Sequence, residues 1–165
     1  MPCEPLIIGG LEQGGRHAGN INVPALAALG EAASEALESR DFLCTEIARL
    51  RDHLEAGVVA LYPKAQLLFK SQERLPHCST IAFPGISNES LLFALNRKYL
   101  FASIGGGSFQ QIALILQAAG VPTTIAQTAI SFSLSRYTTE EEVDHTLQII
   151  QECTKQLQKT SEQLP

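Results

Sequence analysis

A long series of apolar residues at three- and four-residue steps is the feature that most constrains the fold of this chain. The series begins after Pro24 and ends at Tyr62-Pro63, with a break or bend expected at Arg40-Asp41. This spacing places apolar side chains along one side of an α-helix, and proline fits the first helical turn because that turn's N–H groups have no helical partner. The pattern predicts a long N-terminal helical region with one apolar stripe.

The residues after Pro63 alternate between strand and helix signals. Asn88 is predicted to cap a helix, and Thr139 with Glu142 forms a capping box at the start of the last helix. The polar tail from Lys155 is expected to fray. The predicted strands cover 66–70, 79–83, 100–104 and 129–134, and the predicted helices cover 89–98, 109–119 and 139–155. This order predicts an α+β domain, a small sheet flanked by helices, and leaves the strand pairing open.

Composition narrows the classes of function. The chain has 165 residues, of which 45% are apolar, enough for one compact domain. Its net charge of −5 argues against a nucleic-acid partner, because phosphate binding needs clustered Lys and Arg. No stretch reaches the roughly 18 apolar residues that span a membrane. The N-terminal residues lack the pattern of a signal peptide, so a cytoplasmic protein is expected.

The four cysteines are scattered and show no metal-ligand spacing. They are predicted to be free thiols in a reducing cytosol, and Cys44 is predicted to be a core residue because it lies in the apolar helical pattern. No metal site is expected. The cysteines are Cys3, Cys44, Cys78 and Cys153.

A glycine-rich loop is the first candidate for chemistry. Gly105, Gly106, Gly107 and Ser108 lie between a predicted strand and a predicted helix, where backbone N–H groups can bind an anion. The loop is neither GxGxxG nor a Walker loop, and a flexible strand-to-helix turn is the simpler interpretation.

Histidine and arginine residues supply weaker candidates. Arg16-His17 lies among glycines and could approach an anion, although a solvated loop is the simpler interpretation. His77 and Cys78 enter a strand side by side, so they face opposite ways and do not form a dyad. His53 and His145 are predicted to be surface histidines.

Three segments in sequence resemble the cysteine desulfurases, pyridoxal-phosphate enzymes of the class V aminotransferase group with fold type I. The resemblance covers the C-terminal portion of that family and runs nearly end to end along this chain. The segments are residues 5–23 (PLIIGGLEQGGRHAGNINV), 75–92 (LPHCSTIAFPGISNESLL) and 130–144 (ISFSLSRYTTEEEVD).

The resemblance implies a family reaction and a set of site positions. Family members convert cysteine to alanine and carry the sulfur as a persulfide on an enzyme cysteine, often for iron–sulfur cluster assembly, in homodimers. Asn20 falls where the family has a threonine that reaches the cofactor phosphate of the neighbouring subunit. Ser131 falls where it has an arginine for the substrate carboxylate. Residues 102–108 replace its catalytic-cysteine loop but contain no cysteine.

The resemblance therefore implies a family shape without the family's reactive groups. None of the five lysines lies in the family's cofactor-binding context, so no catalytic residue is assigned and pyridoxal phosphate is not expected to bind this chain alone. The expected organisation is a glycine-rich segment 1–23 continuing from a missing large cofactor domain, a small domain 24–155 and a polar tail 156–165. Residues 1–23 are expected to be mobile when isolated.

Three functions remain open. The chain could act as part of a desulfurase, with a large pyridoxal-phosphate-binding domain or a second subunit as its partner. It could be a non-catalytic interaction module that binds a desulfurase or an iron–sulfur scaffold protein. It could also belong to a related amino-acid lyase, which needs no persulfide.

Overall fold

The computed structural model describes residues 4–106 and 110–162 of the chain. The chain divides into two compact units, Met1–Ser39 and Arg40–Pro165. Gly107 and Ser108, two of the predicted loop residues, lie outside the described residues.

The first unit consists of a glycine-rich segment and one long helix. The segment contains a four-residue helical turn, α1 (Glu12–Gly15), and is followed by α2 (Val23–Glu38). Gly14, Gly15 and Gly19 adopt positive φ angles of 71°, 77° and 87°, which glycine reaches without strain. Pro24 lies in the first turn of α2, as predicted, and the Asn22 side chain accepts a hydrogen bond from the Ala25 N–H at 3.1 Å.

The second unit begins with a helical region that supplies its main core. Ile47, Leu50, Leu54 and Val58 are buried at three- and four-residue steps, which confirms the predicted stripe in this unit. The region ends at Leu61, and Tyr62 caps it, as the Tyr62-Pro63 pair predicts. The region comprises α3 (Arg40–Phe42), a π-helical turn (Leu43–Ile47) and α4 (Ala48–Leu61).

A three-stranded antiparallel sheet packs against this region. Its order is β1-β2-β5, with β2 in the centre, which settles the strand pairing. The strands are β1 (Gln66–Leu68), β2 (Cys78–Ala82) and β5 (Ala129–Ser133). Leu67, Ile81, Ile130 and Phe132 belong to the main core together with α4 and the later helices.

The remaining elements complete both sides of the sheet. They are α5 (Asn88–Asn96), a short hairpin of β3 (Gly105–Gly106) and β4 (Gln110–Gln111), α6 (Ile112–Ala118), α7 (Thr123–Ala126) and α8 (Glu140–Glu162). Helices α5 and α8 contribute to the main core, whereas α6 and α7 form a smaller cluster with Ala82 and Ala129. The mixed architecture confirms the α+β prediction.

The capping box at the start of α8 is confirmed in both directions. The Thr139 backbone N–H donates to Glu142 Oε2 at 3.0 Å, and the Glu142 N–H donates to Thr139 Oγ1 at 3.3 Å. Helix α8 then continues to Glu162, so the predicted fraying from Lys155 is wrong for the described residues. Leu157 packs against the main core and anchors this last part of the helix.

Three local predictions are wrong for physical reasons that lie outside the local pattern. Ser87 holds the N-cap position of α5, because the buried Asn88 side chain instead donates to the Ala129 carbonyl at 3.2 Å. Residues 100–104 form no strand, and only Ser103 makes a β-bridge. Cys44 is exposed, because the π-helical turn Leu43–Ile47 breaks its three-residue spacing from the buried Ile47.

Candidate functional site

The two faces of the sheet differ sharply in chemistry. Successive strand residues point to opposite faces, and directly paired residues share a face. The register pairs Cys78 with Ser133 and Thr80 with Ser131. These four residues, here called the small polar face, are exposed or half-buried, whereas Ile81, Ile130 and Phe132 on the other face pack into the main core. Helices α6 and α7 cover only the adjoining Ala82–Ala129 end of this face.

The glycine-rich loop lies beside the small polar face. Ser103 and Ser131 exchange two backbone hydrogen bonds, at 2.9 Å and 2.8 Å. The Gly105 N–H donates to Ser103 Oγ at 3.0 Å, and Gly105 adopts a φ of +93°, which starts the hairpin. The structure therefore brings Ser131 of β5 next to Gly105 and Gly106 of the loop, although Ser131 lies far from them in the sequence.

The Ser131 position carries a small neutral side chain. Ser131 is half-buried, and its hydroxyl has no hydrogen-bond partner among residues 4–106 and 110–162. The other residues of the small polar face supply two further hydroxyls and one thiol, with Cys78 Sγ 3.8 Å from Ser133 Oγ. The face can bind a ligand through neutral hydrogen bonds, but it presents no cation of its own to a carboxylate.

Three of the predicted residues, Arg16, His17 and Asn20, lie in the first unit. Asn20 is exposed and follows Gly19, two residues before the Asn22 cap of α2. Arg16 is exposed, whereas His17 Nδ1 is buried and has no hydrogen-bond partner in the described part of the chain. The cofactor contact at Asn20 stays a prediction.

The histidines and cysteines form no nucleophilic dyad among the described residues. His77 uses its backbone carbonyl to accept the Leu134 N–H at 2.9 Å, and Cys78 contacts Ser133. His53 Nε2 lies 2.8 Å from Asp144 Oδ1, and His145 is exposed. Burial raises the pKa of the Cys153 thiol, so this cysteine is a poor nucleophile.

A buried ionic cluster that no sequence pattern predicts lies on the helix-covered side of the sheet. Glu55 is 0% exposed and accepts hydrogen bonds from Arg74 and from the buried Ser79 hydroxyl, whose Oγ lies 2.7 Å from Glu55 Oε1. Burial raises the pKa of this carboxyl, but the hydrogen bonds from Arg74 and Ser79 and the nearby cations outweigh burial and leave the pKa lowered. The available signal was an acidic residue inside the stripe of Leu54 and Val58.

Arg51 completes this cluster. It donates to the Pro76 carbonyl at 2.9 Å and to Asp52 at 2.8 Å, so the cluster fastens the segment before β2 to α4. Each polar group here has a protein partner, which identifies the cluster as structural rather than ligand-binding.

The described residues also limit other kinds of site. No group of His, Cys, Asp or Glu within 4–106 and 110–162 is arranged to hold a metal ion. Among those residues, no helix has the length and apolar character needed to cross a membrane.

The fold places the chain with NifS-like proteins. A solved structure of a NifS-like protein superposes with a TM-score of 0.82 at 32% identity, covering 95% of this chain and 40% of that one. The NifS-like protein from Rickettsia africae ESF-5 shares the fold with a TM-score of 0.79 at 24% identity, covering 92% of this chain and 40% of that one. No protein-family model matches the chain.

Curated relatives give the family. The cysteine desulfurase NifS of Azotobacter vinelandii is 38% identical over 161 residues, which cover 95% of this chain and 40% of that protein. A cysteine desulfurase of Cereibacter sphaeroides is 36% identical over 164 residues, covering 98% of this chain and 42% of that protein. The chain is similar to one part of these cysteine desulfurases and spans about two fifths of their length, which confirms the resemblance to a portion of the family.

Proposed function

We propose that this chain is the small-domain part of a pyridoxal-phosphate-dependent cysteine desulfurase and works only with a lysine-bearing large domain. One observation carries the proposal: the chain keeps the desulfurase fold, yet Ser131 and the loop beside it offer neither a cation nor a thiol acceptor. The match to about two fifths of each relative supports the need for a large domain that corresponds to the remainder of those proteins.

The described residues do not fit the cofactor's covalent anchor. Pyridoxal phosphate supplies electron withdrawal from a bound amino acid, but it needs a lysine amine beside the substrate. All five lysines are exposed, and Lys98 Nζ instead contacts Glu152 of α8 at 3.2 Å. Helix α8 packs on the opposite side of the sheet from Ser131, so Lys98 is held away from this position, and we infer that the large domain supplies the anchor.

The residue at position 131 is expected to weaken substrate binding. An arginine at position 131 would grip a carboxylate by two charge-assisted hydrogen bonds, and a serine hydroxyl gives one neutral bond. The loss is on the order of 2–5 kcal/mol of substrate binding unless the partner supplies another cation. No cysteine occurs between Cys78 and Cys153, so no persulfide can form on the loop.

Reconstitution tests this proposal. The chain is mixed with the large-domain part of a NifS relative that contains the lysine, and cofactor absorbance and alanine release from cysteine are measured. We expect cofactor absorbance in the mixture and no sulfur transfer by the chain alone. Absence of a complex with every large-domain partner tested, or alanine release by the chain alone, would overturn the proposal.

A pair of variants sharpens this test. Ser131→Arg should tighten amino-acid binding by the reconstituted complex by about tenfold or more, because it restores the charged contact. Ser133→Arg, on the same strand and face, is the matched control and should have little effect. Equal responses of the two variants would show that position 131 does not face the substrate.

A second candidate is a non-catalytic module that binds a desulfurase or an iron–sulfur scaffold. The favouring observation is α2, on which Leu26, Leu29 and Leu37 are exposed, with Leu29 65% exposed. Exposed apolar stripes mark interaction surfaces. A stable complex with a full-length desulfurase that leaves its activity unchanged would favour this candidate.

The third candidate, an amino-acid lyase, rests on the loop without cysteine. A lyase would release its product without persulfide on the protein, so sulfide formation without alanine in the reconstituted mixture favours it. A reducing cytosol suits all three candidates, because the described cysteines Cys44, Cys78 and Cys153 are free.

A further inference from the structure

Tyr99 adopts a backbone conformation that favours glycine. Its φ angle is +60°, in the left-handed region where a residue with a Cβ atom is strained. The Leu100 N–H donates to the Leu95 carbonyl at 3.1 Å, and the Tyr99 N–H donates to the Asn96 carbonyl at 3.0 Å. These two bonds form a Schellman motif after α5, in which Tyr99 occupies the position that glycine usually holds. The fold alone would therefore favour glycine at this position.

The Tyr99 side chain does not pack into the core. Tyr99 is 86% exposed, and Phe101, two residues later, is 77% exposed. Both residues line an open cavity of about 490 Å³ between the segment after α5, the end of β5 and the first half of α8. Core packing therefore does not explain why an aromatic side chain occupies the strained position 99.

The cavity has an apolar floor and balanced charges. Lys98 and Glu142 line it with opposite signs, and each already has a partner. His145 also lines it and makes no hydrogen bond or ion pair within residues 4–106 and 110–162. The cavity therefore suits an uncharged ligand that carries one polar group. The floor consists of main-core residues, namely Leu54, Phe132, Leu134, Val143 and Ile149.

We propose that this cavity binds a small, uncharged, planar aromatic molecule with one hydroxyl or N–H group, and that the Tyr99 and Phe101 rings contact its ring. Aromatic rings attract each other in offset-stacked and edge-to-face contacts. The cavity volume lies in the range of roughly 300–1,000 Å³ that is common for small-molecule sites. His145 contacts the polar group, since a neutral imidazole both donates and accepts hydrogen bonds. Neither Ser131 nor Gly105 lines the cavity, so binding here does not require the cofactor site.

Three matched probes test this site on the full chain. Naphthol is planar and uncharged, decahydronaphthol keeps the carbon skeleton and the hydroxyl but is not planar, and naphthoate carries a negative charge. Methyl-group NMR spectra follow each titration through the signals of Leu54, Val143 and Ile149. We expect saturable shifts of these signals with naphthol. Binding of decahydronaphthol and of naphthoate should be about fivefold weaker or more, because the first lacks ring contacts and the second loses hydration of its charge.

Substitution of the two aromatic residues separates binding from folding. Tyr99→Gly removes the ring and relieves the left-handed strain, so it should weaken naphthol binding by about fivefold or more without lowering the melting temperature. Phe101→Ser should weaken naphthol binding to a similar degree. A side chain that only supported the fold would behave differently, since its removal would lower the melting temperature.

Phe69→Gly is the matched control. Phe69 is another exposed aromatic residue with a positive φ angle, +56°, but it does not line the cavity. Its replacement by glycine relieves the same kind of strain and should leave naphthol binding unchanged. Circular dichroism melting compares the two glycine variants with the natural chain.

Several results would overturn the proposal. One is naphthol-induced shifts confined to the exposed leucines of α2, with none at Leu54, Val143 and Ile149. Others are equal affinities for naphthol and decahydronaphthol, tighter binding of naphthoate, or naphthol binding that Tyr99→Gly and Phe101→Ser leave unchanged. A lower melting temperature in Tyr99→Gly but not in Phe69→Gly would assign the Tyr99 ring to the fold instead of to a ligand.

Discussion

The two faces of the central sheet have different roles. Side chains on one face of β2 stabilise the fold, whereas side chains on the other face are free to contact a ligand. Ser79 and Thr80 are neighbours in β2, but Ser79 lies in the buried cluster with Glu55, whereas Thr80 lies on the small polar face beside Ser131. On the covered side, charged groups are paired and shielded from water. On the open side, the side chains are small, neutral and partly exposed. Polar residues therefore indicate a site only where their partners are missing.

The largest expected difference between the faces is in stability. Arg74→Ala leaves the buried Glu55 carboxylate without its main partner, and breaking one side of a buried ion pair costs about 3 kcal/mol or more. We expect the free energy of unfolding in urea to fall by about that amount. The matched control is Arg40→Ala, which removes an exposed arginine that pairs with the exposed Asp41 and should change little. Similar losses in the free energy of unfolding for both variants would show that the buried Glu55 cluster stabilises the fold no more than a surface ion pair does.

The pH dependence of stability tests the same cluster by a smaller perturbation. The pKa of Glu55 is lowered in the folded chain, because the bonds from Arg74 and Ser79 outweigh the opposing effect of burial. Its contribution to stability is therefore fully present above the ordinary value near 4.5 and is lost as the pH falls through the lowered folded pKa. Urea unfolding across this acidic range should show the loss.

The control for this prediction is Glu55→Gln, which cannot ionise. As the pH is lowered over the same range, the free energy of unfolding of this variant should fall less steeply than that of the natural chain. An identical slope in both proteins would assign the acid sensitivity to other carboxylates.

Thiol reactivity should also distinguish the faces. Cys78 is half-buried on the small polar face, whereas Cys153 is 3% exposed and burial raises its pKa. Because the thiolate is the reacting form, Cys78 should react with a disulfide reagent about tenfold faster than Cys153. Peptide mass analysis identifies the modified residue, and the exposed Cys44 provides a fast reference. Equal rates at Cys78 and Cys153 would show that the small polar face is closed.

Local patterns were enough to predict the helical region, three of the strands and the α8 capping box, because these depend on residue spacing and turn chemistry. They failed at Asn88 and Cys44. The Asn88 side chain bonds to β5, which is distant in the sequence, and Cys44 lies in a π-helical turn that ordinary helical spacing does not anticipate.

The candidate site was only partly predictable for the same reason. The resemblance assigned a role to Ser131 and to the glycine loop, but the pairing of Ser103 with Ser131 depends on tertiary structure. The Glu55 cluster joins α4, β2 and the segment between β1 and β2. No local pattern indicates that its charges are neutralised from another element.

The smallest expected effect comes from the best-matched pair of variants. Ser79→Ala and Ser131→Ala remove the same hydroxyl from adjacent strands on opposite faces of the sheet. Ser79→Ala takes a hydrogen bond from the buried Glu55 carboxylate and should cost about 1.5 kcal/mol. Ser131→Ala removes a half-buried hydroxyl without a described partner and should change the free energy of unfolding by about 0.5 kcal/mol or less. If Ser131→Ala lowers the free energy of unfolding more than Ser79→Ala does, the Ser131 hydroxyl stabilises the fold and is not free to bind a ligand.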